Sequence, residues 1–169
     1  MMRERRKMDN GNIRQGKTVK ESRTEQVQIL TQGTLNGNRR LFGGQLMEWI
    51  DIVAAVVARR HSNLNTTTAV VDTLQFTEPA YANDIVVLEG YMTFTGRTSM
   101  EVCVKTYVEE LSGRKHEINT AYIVMVALDD NDKPTPVPPL IIETEEERLE
   151  WEAAVKRNDL RKVRRKERY

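Results

Sequence analysis

One cysteine in 169 residues leaves no room for an intrachain disulfide, and none for a zinc cluster built from cysteine. Cys103 lies in an alternating apolar run, where it reads as a small core residue rather than a nucleophile. No apolar stretch approaches the roughly 20 residues that a membrane helix needs. The basic N-terminus is followed by no apolar segment, so it does not read as a signal peptide, and a cytoplasmic, reducing setting is the expectation. Net charge is only +1, so no global field favours nucleic acid or a membrane. No set of metal ligands is visible, no internal repeat appears, and neither a metal nor a cofactor is expected.

What is there is unevenly distributed. The apolar periodicity falls in the middle of the chain, and the ends are rich in Arg, Lys and Glu. Three parts follow: a flexible basic tail over residues 1–22, one domain over 23–142, and a charged C-terminal helix over 143–169. The basic ends read either as solvated tails or as cations that attract a polyphosphate ligand.

Glu25–Thr31 reads as a weak strand and Gly33–Arg40 as a polar turn region. Gly43–His61 is the clearest helix, with Met47, Ile50, Val53, Ala54, Val57 and Ala58 recurring at helical spacing. Arg59, Arg60 and His61 close it as cations suited to the negative end of the helix dipole. From Thr66 the period changes to two. Strands are expected over Thr68–Phe76, Ile85–Thr95, Thr98–Glu110 and Ile118–Leu128. Pro134, Pro136, Pro138 and Pro139 make an extended exit, and Glu143–Lys166 reads as a helix with acidic residues first and basic residues last. A long apolar helix after the first strand must be covered on most sides. A strongly curved antiparallel sheet wrapped around it does this, which makes the fold α+β.

Two features suggest chemistry. Gly43-Gly44 opens the helix, where the first N–H groups lack internal partners and can hold a carbonyl oxygen that becomes negative during reaction. The same pair also suits a plain strand-to-helix turn. Asp51 follows Met47 by four positions and so lies near the apolar stripe. It is either a carboxylate held there for a task or a stripe-edge residue that reaches water or a surface cation.

The order Asn36 to Phe42-Gly43-Gly44, then Ala58-Arg59-Arg60-His61-Ser62, Thr68–Phe76 with Pro79, Gly96-Arg97-Thr98-Ser99-Met100, and Val126-Ala127-Leu128-Asp129 resembles the hotdog-fold acyl-CoA thioesterases, in particular the cytosolic acyl-CoA hydrolase group. The resemblance runs from about Glu25 to Leu140. It implies a hotdog fold and hydrolysis of fatty acyl-CoA to free acid and CoA, with Asn36, six residues before Phe42, and Asp51, nine after it, as catalytic residues of neighbouring subunits. Gly43 or Gly44 would polarise the thioester carbonyl. Arg97, Thr98 and Ser99 would contact the CoA portion, though the same residues also suit a solvated hairpin turn, and Arg59 and Arg60 are further candidates. Self-association as a dimer, and as a hexamer built from three dimers, is also implied. The chain departs from the family at Arg39-Arg40, where Gly-Thr is common, so substrate choice or the loop's path is open there. An alternative is a non-catalytic acyl-CoA-binding hotdog regulator, but such a protein would be expected to lack the carboxylate, and no helix-turn-helix pattern accompanies the basic N-terminus.

Overall fold

A computed structural model describes residues 15–168. The elements run β1 (Lys17–Thr18), α1 (Val19–Ser22), β2 (Thr24–Ile29), a 3-10 turn (Gln32–Thr34), α2 (Gly43–Ser62), β3 (Asn65–Phe76), β4 (Ile85–Thr95), β5 (Ser99–Glu109), β6 (Lys115–Leu128), β7 (Leu140–Ile141) and α3 (Glu145–Glu167). Five strands form one antiparallel sheet in the order β2-β4-β5-β6-β3. Its inner face wraps α2, and α3 crosses its outer face. This is the expected α+β hotdog architecture.

The buried face of α2 comprises Leu46, Trp49, Ile50, Val53, Ala54, Val57, Ala58 and His61, at the three- and four-residue spacing of a single stripe. Met47, expected in that stripe, is 45% exposed, and Leu46 and Trp49 stand in its place. Leu46 and Trp49 continue the three- and four-residue spacing of Ile50, Val53 and Ala54 to the helix start, and Met47 sits one position off that line. The helix lies close on β4 because position 90 is glycine. A Cβ there would come within 2.5 Å of Val53 Cγ1. Asn63 ends the helix in the left-handed conformation, and its N–H donates to Arg59 O at 2.8 Å.

His61 is a correction. It is fully buried, and its Nε2 lies 2.9 Å from the carbonyl of Pro138. Burial holds its pKa below the ordinary value, so it is a neutral donor to that carbonyl and not a cation at the helix end.

The N-terminal segment also differs from expectation. Lys17–Ser22 is ordered: β1 pairs with β7, Val19 is 2% exposed, and Glu21 accepts from the N–H of Thr18 at 2.7 Å in a capping box. Thr18-x-x-Glu21 is the signal a compositional reading passes over. Residues 1–14 of the expected tail lie outside the described residues.

α3 begins with Thr144, whose hydroxyl accepts from Glu147 N, and carries the expected charge gradient. It is tied to the sheet largely by charge. Glu101 of β5 is fully buried and accepts from Arg157 Nη2 at 2.8 Å, Arg161 Nη1 at 2.6 Å and the Thr93 hydroxyl at 2.7 Å. Asp72 of β3 accepts from Arg161 at 2.7 Å and Arg164 at 2.6 Å. Burial raises the Asp72 carboxyl, but the two guanidinium groups outweigh it and leave the pKa below the ordinary range. Arg157 also lies over the ring of Tyr122, 3.7 Å from its centroid.

Candidate active site

The loop from Leu35 to Phe42 is shaped by Asn36. Its Oδ1 accepts from Asn38 N at 2.9 Å and Arg40 N at 3.2 Å, and its backbone N–H donates to Arg40 O at 2.8 Å. The turn passes through Arg39 at φ 59°, a conformation that glycine adopts more readily. With Oδ1 engaged by the loop, the Asn36 amide Nδ2 makes no hydrogen bond among the described residues. Asn36 lines a cavity of about 270 Å³ together with Arg40, Leu41, Leu46, Phe76 and Pro79.

Phe42 then leads directly into α2, and no side chain among the described residues caps the helix. The first intrahelical donor is Leu46 N, which bonds to Phe42 O at 3.1 Å, so the N–H groups of Gly43 and Gly44 point outward without intrahelical partners. A side chain at Gly44 would collide with the Phe42 ring, its Cβ 2.6 Å from Cε1. Glycine therefore keeps this mouth open.

Two turns along, Asp51 lies at the edge of the apolar stripe and is exposed. Its partner comes from the edge strand: Thr68 Oγ1 donates to Asp51 Oδ1 at 2.5 Å. Asp51 and Gly44 line one cavity of about 310 Å³ with Met47, Glu48, Ile50, Val71, Leu74 and Ile123. A carboxylate, an uncapped helix N-terminus and an apolar wall thus share one space. Within the chain, Asn36 and Asp51 do not meet; they line different cavities and share no hydrogen bond.

Arg97 is exposed at the β4–β5 turn, and its guanidinium makes no hydrogen bond among the described residues. Its backbone is fixed, with Arg97 O accepting from Val137 N, Thr98 O from Ala127 N and Ser99 O from Gly96 N. Arg59 is exposed near the far end of α2. Arg60 is not free: its Nη1 donates to Arg23 O at 3.1 Å and Thr24 Oγ1 at 3.0 Å, pinning the start of β2. Cys103 is fully buried, and burial pushes its thiol up to about 11, as suits a core residue.

Thr68 is the site residue that the sequence reading did not single out. It stands in a run of three threonines within an ordinary strand pattern, and nothing local marks the one that faces α2.

A helix with an open glycine mouth, wrapped by a curved sheet and bearing a carboxylate beside an apolar cavity, defines a hotdog thioester-processing protein. The chain belongs to the thioesterase superfamily, whose sequence pattern matches residues 38–113. It is 40% identical over 148 residues to the uncharacterized acyl-CoA thioester hydrolase YkhA of Bacillus subtilis (strain 168), covering 87% of this chain and 86% of that protein. It superposes on an apo-hexameric acyl-CoA thioesterase with a TM-score of 0.85 at 38% identity, covering 89% of this chain and 97% of that one. It also superposes on the acyl-CoA hydrolase of Staphylococcus aureus in complex with butyryl coenzyme A, coenzyme A and coenzyme A disulfide, with a TM-score of 0.86 at 31% identity, covering 89% of this chain and 93% of that one. The Staphylococcus enzyme has also been characterised with an aspartate, an asparagine or a threonine replaced by alanine.

Proposed function

We infer that this protein is an acyl-CoA thioester hydrolase that releases free acid and CoA. The observation that carries this reading is Asp51, held by Thr68 in the cavity that also takes in Gly44 at the open end of α2. In the Staphylococcus hydrolase the altered aspartate follows the altered asparagine by fifteen residues, and the threonine follows by a further seventeen. Asn36, Asp51 and Thr68 have the same separations.

A thioester carbonyl is electrophilic and its thiolate leaves readily, so little apparatus is needed. The free N–H of Gly43 or Gly44 polarises the carbonyl oxygen and takes up charge as it develops. Asp51 either removes a proton from the attacking water or attacks the carbonyl carbon itself to give an anhydride that water opens. Thr68 holds the carboxylate in place. The Nδ2 of Asn36 orients the carbonyl or the water. The acyl chain lies against Ile50, Val71, Leu74 and Ile123. The exposed Arg97 guanidinium meets the CoA phosphates.

The separation of Asn36 from Asp51 within one chain supports a site completed by a second subunit. β3 supports it too, as an edge strand of the sheet among the described residues, with Val70 37%, Val71 47% and Phe76 53% exposed. A dimer through this side, and a hexamer of three dimers as the hexameric relative suggests, is the assembly proposed. Among the described residues no helix is long and apolar enough to cross a membrane. A cytoplasmic setting is proposed with it, in keeping with the single buried thiol.

The test is thiol release from acyl-CoAs of graded chain length. Hydrolysis of at least one is the expected result. Tight binding of acyl-CoA without turnover would instead favour a regulator.

A further inference from the structure

We propose that the C-terminal helix sets the shape of the acyl cavity, with Asp72, Arg161 and Arg164 acting as positioning residues for the wall of β3. The inference rests on the acyl-CoA hydrolase reading above.

In a regular strand, residues three apart face opposite sides of the sheet. Thr68, Val71 and Leu74 are spaced by three, yet all face α2: Thr68 bonds to Asp51, and Val71 and Leu74 line the same cavity as Asp51. Their partners on β6 are Met125, Ile123 and Ala121, which step by two. Three residues on β3 therefore match two on β6, twice in succession. The surplus residues are Ala69 and Asp72, each at a register shift.

Two consecutive bulges place Thr68, Val71 and Leu74 on one face. Without the second, Leu74 would turn away from the cavity, because a one-residue slip exchanges the faces of everything beyond it. The residue that makes the second bulge is the one α3 holds. Asp72 points to the outer face, its side chain is 3% exposed, and its two oxygens accept from Arg161 and Arg164. Arg161 is itself anchored by buried Glu101 at 2.6 Å. A slip that turned Asp72 inward would break both bonds and leave buried charges unpaired. The clamp on one face of the sheet thus fixes what the other face presents to substrate.

The test compares kcat/KM across acyl-CoAs of graded length for wild type, Asp72→Asn, Arg164→Ala, Arg164→Lys and Arg148→Ala. Arg148 pairs with Glu145 and Glu152 near the other end of α3 and serves as the control. Asp72→Asn and Arg164→Ala are expected to change the ratio of longer-chain to shorter-chain kcat/KM by about tenfold, the lower end of what one methylene decides in an apolar pocket. Arg164→Lys restores most of the wild-type ratio, and Arg148→Ala leaves it unchanged. An equal loss for every chain length in the clamp variants overturns the proposal and leaves α3 a structural role only. Amide hydrogen exchange over residues 68–74 reads the clamp without turnover. Faster exchange there in Arg164→Ala than in Arg148→Ala is expected, and identical exchange overturns the proposal. If the wild type hydrolyses no acyl-CoA, the proposed function falls on that result, and hydrogen exchange still decides the clamp.

Discussion

The hydroxyl of Thr68 on the edge strand donates to Oδ1 of Asp51 on the central helix across 2.5 Å. The bond leaves Asp51 Oδ2 without a hydrogen bond among the described residues, free for a proton or a carbonyl carbon. Asp51→Asn is expected to keep the fold, since the side chain is exposed, and to lower kcat by about 10² to 10⁴-fold, the usual contribution of a positioned base. Thr68→Val removes only the orienting bond and lowers kcat less. Full activity in a folded Asp51→Asn protein would remove the aspartate from the mechanism.

Asn36 and Asp51 line separate cavities of one chain. Asn36→Ala and Asp51→Ala proteins are each expected to be inactive alone. Mixed and refolded together they recover part of the activity, because a heterodimer contains one intact site. Thiol release from the mixture, with subunit exchange verified by mass spectrometry, checks this. Exchange without recovery rules out a shared site.

Arg97→Ala is expected to raise KM for acyl-CoA more than it lowers kcat, because a phosphate contact remote from the thioester stabilises ground and transition states alike. An acyl-pantetheine lacks the nucleotide phosphates and is the comparison substrate. Equal impairment with both substrates would mean that Arg97 supports the turn and does not meet CoA.

Buried His61 couples stability to pH. Burial is the largest influence and lowers its pKa; Lys17 lowers it further, while the Pro138 carbonyl and Glu21 act in the other direction. Above about pH 6.5 the ring is neutral folded and unfolded, and its full stabilisation is present. As pH falls below that value the unfolded chain takes up a proton that the folded chain refuses. Stability then declines by up to about 1.4 kcal/mol per pH unit until the folded pKa is reached. Urea titrations from about pH 8 down to about pH 5 should show the decline, and His61→Gln should flatten it.

Much of the architecture was legible because α2 and most of β6 bury one face each, and burial writes a period into the sequence. Where two influences overlap, the period fails. The outer face of β5 holds Glu101 and Cys103 between apolar neighbours, so its buried run of Met100–Val104 shows no alternation in burial. β3 reads as a strand from its Val and Thr content, but its two bulges and the inward turn of Thr68 depend on β6 and α3, which are distant in sequence. The roles of His61 and Arg60 depend on Pro138 and Thr24 in the same way. The glycine mouth and Asp51 could be marked from spacing, but Thr68 as the aspartate's partner could not.

The ionic attachment of α3 also bears on biogenesis. Every strand of the sheet precedes α3 in the chain, so during synthesis the outer face exists before its cover. At that stage it displays the carboxylates of Asp72 and Glu101 among aromatic and aliphatic side chains. Like charges presented from a nascent sheet repel a second copy of the same surface, whereas a uniformly apolar face would invite it. The two acids that receive the arginines would therefore disfavour self-association of the sheet before α3 covers it.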